Sequence, residues 1–271
     1  MKRLFCLLGT GLVFAFFVSA HETTIIPSDT SRDYKSGDAV TFFGISSHYN
    51  LVGEELEGLD AVEMYVYKNG VKGPNLPLTE NKDRLVYEGK YALTDNTPVI
   101  AVFRSIGGYT TTFSDGTRVR LDKRAAARAN PGKSIVSTGY FSKWGKYYLN
   151  PDRSDRSFST PLGHDIEIIP LDNPAGMTRN STMRLRVLYR GRPLPNAEVK
   201  ASYDYYDYRT MDAWASTGRR TDNNGEISFR LDHPDIGKAV VWFFRVRETH
   251  RVNSAETDQE NPAATLLFLV K

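Results

Sequence analysis

The chain has 271 residues, with 35 Lys and Arg against 32 Asp and Glu, five histidines and one cysteine. A formal charge of +3 gives no electrostatic reason to invoke nucleic acid or an anionic membrane surface as partner. With Cys6 the sole thiol, disulfides and cysteine-based zinc or iron–sulfur centres are excluded.

The first predicted element is a leader. Lys2 and Arg3 precede an apolar run from Leu4 to Val18, and Val18-Ser19-Ala20 offers small residues at a cut. That is the pattern of a secretory signal peptide over residues 1–20, too short for a comfortable membrane span. Export places the mature chain in the periplasm or outside the cell, with no membrane span after processing, and Cys6 leaves with the leader. Cleavage after Ala20 makes His21 the first residue, with a free α-amine beside its imidazole. Amine and imidazole both lose their protons to a metal at little cost near neutral pH, so together they can chelate one ion.

Strand signals then dominate. Ala39–Ile45, Ala61–Tyr67 and Thr97–Phe103 are short apolar or β-branched runs, bounded by Ser36-Gly37-Asp38, Asn69-Gly70, Gly107-Gly108 and Asp115-Gly116 as turns. Val62, Met64 and Val66 alternate with Glu63, Tyr65 and Tyr67, the period of a half-buried strand, and Asn69-Gly70 directly after them signals a hairpin. Asp122 can cap a short Ala/Arg helix that Asn130-Pro131-Gly132 stops. The Lys-, Tyr-, Asp- and Arg-rich stretch from Ser142 to Ser159 reads as a connection. After it, Ile166–Ile169, Met183–Tyr189, Ala197–Ala201, Ile227–Leu231, Val240–Phe244 and Thr265–Val270 read as a second set of strands. The predicted fold is all-β, two β-sandwich domains over residues 21–160 and 161–271.

Two motifs carry a resemblance. Gly191-Arg192-Pro193-Leu194-Pro195-Asn196-Ala197-Glu198-Val199 and Thr221-Asp222-Asn223-Asn224-Gly225-Glu226-Ile227-Ser228-Phe229 resemble the turns of transthyretin-like or immunoglobulin-like modules. Preceded by Ile166-Glu167-Ile168-Ile169-Pro170-Leu171, and with His21 and Pro27-Ser28 near the mature start, the chain is similar to an exported family of unknown-function domains. That family, NikM-like, is linked to nickel and cobalt uptake. A subgroup carries a histidine at the end of its first long strand, where this chain has His48, and some relatives have one at the position of His250. Tyr49 stands where that subgroup has proline, and His164 where an apolar residue is usual.

The resemblance implies a nickel- or cobalt-binding protein that serves uptake or delivery, with membrane components of a metal transporter as partners. Imidazole and amine ligands also suit copper and zinc, so the donor chemistry does not choose among these divalent transition metals. His21, His48 and His250 are the candidate ligands. His164 ranks below them, and His233, in Asp232-His233-Pro234, reads as a solvent-facing turn residue.

Other readings compete. A copper carrier, or a copper-dependent oxidase of the lytic polysaccharide monooxygenase kind, also uses an N-terminal histidine on a β-sandwich. A metal-free carbohydrate- or protein-binding module would rely instead on Tyr140-Phe141, Tyr147-Tyr148 and the tyrosines from 203 to 208. No Ser-His-Asp order, phosphate loop or nucleotide fingerprint is present, and non-catalytic binding is the expectation.

Overall fold

The computed structural model describes residues 21–48, 51–204, 216–234, 236–252 and 254–271. Residues 1–20, read above as a leader, Tyr49 and the tyrosines at 205, 206 and 208 lie outside the described residues. In the first half run β1 (Glu22–Pro27), β2 (Ala39–Ser47), β3 (Val62–Lys68), β4 (Val71–Asn75), β5 (Leu78–Asn81), β6 (Val86–Ala92), β7 (Val99–Phe113), β8 (Arg118–Val119) and β9 (Ile135–Leu149). The second half holds β10 (Ile166–Pro170), β11 (Thr182–Tyr189), β12 (Arg192–Pro193), β13 (Glu198–Tyr203), β14 (Ser216–Arg220), β15 (Glu226–Arg230), β16 (Val240–Arg247), β17 (His250–Arg251) and β18 (Gln259–Val270). Among the described residues one α-helix, α1 (Lys123–Ala129), is capped by the Asp122 carboxylate, which accepts from the Ala125 amide at 2.8 Å, and ends at Asn130.

The fold is all-β with sandwich-like sheets, as the spacing of short runs and turns predicts. A ten-stranded sheet, ordered β14-β13-β16-β18-β9-β7-β3-β4 with β8 and β17 at its side, crosses both halves of the chain. Its seam is the parallel pairing of β9 with β18, from Gly139 opposite Gln259 to Tyr148 opposite Phe268. Sheet β1-β2-β6-β5 covers one face, and β10-β11-β12 with β15 covers the other. Residue 160, the expected boundary between domains, falls between β9 and β10.

Alternation along the central strands assigns side chains to two cores. Val241, Phe243 and Leu267 join Val40, Phe42, Tyr87 and Phe103 in one. Val240, Trp242, Phe244, Leu266 and Phe268 join Ile168, Leu185 and Phe229 in the other. A strand covered on both faces reads as a near-continuous apolar run, which explains Val240–Phe244 and Thr265–Val270. The same rule modifies the reading of β3. Val62, Met64 and Val66 face one core, and the intervening Tyr65 is buried in the other.

Three local expectations need correction. Gly107-Gly108 does not end a strand, because β7 continues to Phe113 through a register shift between Ser105 and Gly108. The connection expected at 142–159 is strand as far as Leu149, since Ser142–Leu149 are buried between the two cores. His233 is buried and accepts a hydrogen bond from the Trp242 indole at 2.9 Å, so it is not solvent-facing. Asn69-Gly70 does form the β3–β4 turn, both residues having positive φ as a tight hairpin demands. Among the described residues no helix is long and apolar enough to cross a membrane.

Candidate metal centre

β1 and β2 pair antiparallel, with Glu22 opposite Ser47 and Thr23 opposite Ser46. One step further along that register sets His21 opposite His48. Their ring centroids are 4.0 Å apart with planes tilted by 60°. Cross-strand neighbours at a ladder's end are held by the backbone of both strands, so two imidazoles meet here without help from a loop.

The return from β2 to β3 brings carboxylates to the pair. Gly53 packs against the carbonyls of Arg84 and Leu85 with no room for a Cβ, which pins the segment from Leu51 to Gly58 against the β5–β6 turn. Glu54 then bonds backbone to backbone with Ser46, amide to carbonyl, at 3.2 Å. Its Oε2 accepts from the His48 amide, from His48 Nδ1 at 3.0 Å and from Ser47 Oγ at 3.1 Å, and lies 3.6 Å from His21 Nε2. Glu55 Oε1 sits 2.6 Å from His21 Nδ1. A carboxylate only accepts, so in these contacts each ring presents Nδ1 as the donor, and a neutral ring then carries its lone pair on Nε2.

Ligand atoms of His21, His48 and Glu54 lie within 4.8 Å of one another, all three residues being half-buried. Two imidazoles and a carboxylate within that reach fit a borderline divalent ion. Burial alone would raise the Glu54 pKa, but the His48 amide, the Ser47 hydroxyl and the His48 ring outweigh it and hold it below the usual carboxylate value. Glu54 therefore stays ionised, as a metal ligand must.

The strand carrying His21 is itself anchored. Glu22, buried at the start of β1, receives Arg245 and Arg247 of β16, the latter at 2.7 Å. Thr265 Oγ1 of β18 donates to the Thr23 carbonyl at 2.6 Å. At Gly145 of β9, an added Cβ would come within 2.8 Å of the Thr23 oxygen and 2.9 Å of Thr24 Cα. β1 thus crosses the seam of the central sheet at the closest approach the backbone allows.

Beside His21 a cleft of ≈ 350 Å³ is lined by Glu57, Ser105, Tyr109, Arg120, Phe141 and Lys143. Glu57 accepts from Ser46 Oγ at 3.1 Å and Ser105 Oγ at 3.0 Å, with Lys143 Nζ at 3.6 Å. Burial would raise its pKa, and the Lys143 ammonium with the two hydroxyls overrides that, so it stays charged.

The other histidines lie apart from this cluster. His250, expected as a third ligand, stacks on Tyr189 at 4.0 Å, and its Nε2 has no hydrogen-bond partner among the described residues. His164 is buried, stacks on Trp144 at 5.6 Å and lies 3.3 Å from the Tyr65 hydroxyl. Burial first, and the nearby Lys146 ammonium second, push its pKa down to about 3, so it is neutral. Sequence reasoning passed over Glu54, Glu55 and Glu57. The signal was a Glu-Glu pair six residues past His48, but only a fold-back of the loop makes it meaningful.

Solved structures similar to the chain include the D0-D1 domain of Intimin, at 12% identity over 91% of this chain and 98% of that one, with a TM-score of 0.24. Tandem Ig repeats of Dlar match at 13% over 93% and 100%, with a TM-score of 0.20. The titin domains z1z2, solved in complex with telethonin, match at 11% over 93% and 98%, also at 0.20. No curated protein is significantly similar. The profile of one family matches residues 18–247, and the chain belongs to that family, described as a domain of unknown function, DUF4198.

Proposed function

We propose that this is an exported, non-catalytic transition-metal-binding protein that captures a divalent ion at His21, His48 and Glu54 and passes it to a transporter. The observation that carries the reading is the meeting of the two rings at 4.0 Å, with a Glu54 oxygen among ligand atoms within 4.8 Å of one another. Nickel or cobalt is favoured by the resemblance to the NikM-like proteins, and copper and zinc suit the same donors.

Removal of residues 1–20 would add the His21 amine to the donors. A chelate closed through that amine and Nδ1 trades the Glu55 contact for the metal. Glu54 and Glu55 then serve the ion as ligand or hydrogen-bond partner, the arrangement that orients histidines in metal sites. His250 takes no part in this ligand set.

Calorimetric titration with nickel(II), cobalt(II), copper(II) and zinc(II) tests the reading on protein that begins at His21. A second protein carrying one extra residue before His21 keeps every side chain and converts the amine to an amide. Tight binding by the first and weak binding by the second is the expected result. Equal affinity of the two overturns the amine chelate, and no binding by either overturns the metal reading.

A further inference from the structure

The charge of the cleft beside His21 points to what it would take. His21 is the residue shared by the ligand cluster and the cleft lining, so an ion held by His21 borders that space. Glu54, Glu55 and Glu57 are the carboxylates on this side; Lys143 and Arg120 are the cations. A divalent ion added to them leaves one positive charge uncompensated. Among the described residues the Arg120 guanidinium has no side-chain hydrogen bond and no ion pair within 4.0 Å, and it lies close enough to Glu57 to help hold that carboxylate charged. Lys143, in contrast, is already engaged with Glu57.

The walls are not those of an inorganic-ion site. Tyr109 and Phe141 line the same cleft, and Tyr109 is braced by Tyr140 at 5.0 Å between ring centroids. Gly107 and Gly108, at the register shift in β7, also line the cleft, and at Gly108 an added Cβ would meet nothing within 4 Å. At ≈ 350 Å³ the volume lies at the small end of ligand clefts. Two aromatic faces want carbon, an unengaged guanidinium wants a carboxylate it can grip with two N–H groups, and a half-ligated metal wants oxygen donors.

We propose that the cleft binds a small carboxylate-bearing chelator, which accompanies the metal, completes its coordination from the His21 side and is gripped by Arg120. This rests on the metal reading above and names what that site captures: a metal–carboxylate complex in preference to the bare ion.

Protein beginning at His21 and loaded with cobalt(II) provides the test, because the visible absorption of cobalt reports its ligands. Malonate is the probe, with dimethyl malonate and inorganic phosphate as comparisons. A saturable spectral change with malonate alone is expected. Arg120→Gln should weaken malonate binding about tenfold or more, as for loss of a hydrogen-bonded charge, and leave cobalt affinity within about twofold. A spectrum indifferent to malonate, an equal response in Arg120→Gln, or an equal response to phosphate would each overturn the chelator. Failure to take up cobalt at all overturns the metal reading itself, which the malonate-free titration shows separately.

Discussion

His21 and His48 face each other one step beyond the Glu22–Ser47 pair of the β1–β2 ladder, with ring centroids 4.0 Å apart. Their separation in sequence is bridged by a single antiparallel pairing, and that pairing depends on β1 starting at Glu22, the residue directly after His21. A histidine at position 21 is therefore placed by sheet register and not by a flexible tail.

Replacing either histidine should damage metal binding far more than replacing the others. Partners outside the ligand shell already cost ~10–100-fold in affinity, so His21→Ala or His48→Ala should cost at least that. His250→Ala should leave nickel affinity unchanged, because its ring is stacked on Tyr189. Titration calorimetry of the three variants decides, and a loss in the His250 variant comparable to the other two would contradict the assignment.

Gly145→Ala should weaken the same site from a distance. The new methyl would meet the Thr23 carbonyl and Thr24 Cα, so β1 must lift from β9. Overpacking of this kind costs about 1–3 kcal/mol. Lower urea stability together with weaker metal binding is the expected pair of results. Unchanged binding at reduced stability would mean that the β1–β2 ladder moves as a unit.

Acid should loosen the cleft through Glu57. Its pKa in the folded protein lies below the unfolded value near 4.5, so the folded state binds fewer protons in that window. Its contribution is present above pH ~4.5 and is lost as pH falls through the lowered folded value. Urea midpoints measured between pH 6 and 3 should fall for the native protein and fall less steeply for Glu57→Gln.

The buried pair of Lys146 and Glu167, 3.5 Å apart and both nearly inaccessible, makes a fourth prediction. Glu167 also accepts from the amides of Leu162 at 3.0 Å and His164 at 2.6 Å, so its charge has other support. Lys146→Met should still cost roughly 3–5 kcal/mol, because it strands a buried carboxylate beside apolar neighbours. Adding Glu167→Gln should recover part of the loss. Chemical unfolding of the single and double variants measures the coupling.

Much of the secondary structure was written in the local pattern. Asp122 and Asn130 delimit α1 because a cap and a stop act within one turn of chain. Asn69-Gly70 makes its hairpin because only residues tolerant of positive φ close so tight a turn. The pairing of His21 and His48 was not legible: His21 stood out from the cut site after Ala20 and His48 from its place where an apolar strand gives way to loop, and β1 (Glu22–Pro27) was not among the expected strands.

What the sequence by itself determined is the all-β character, most of the turns and the place of His48 at a strand end, because these follow from interactions over a few residues. Tertiary structure alone decided that the two halves share one sheet through β9 and β18, since strand partners far apart in sequence leave no local trace. It also decided that His233 is buried under Trp242 and that His250 stacks on Tyr189. The carboxylates at 54 and 55 reach the histidines because Gly53 lets the loop close against Arg84 and Leu85. Burial and long-range contact are properties of the packed whole, and no window of residues carries them.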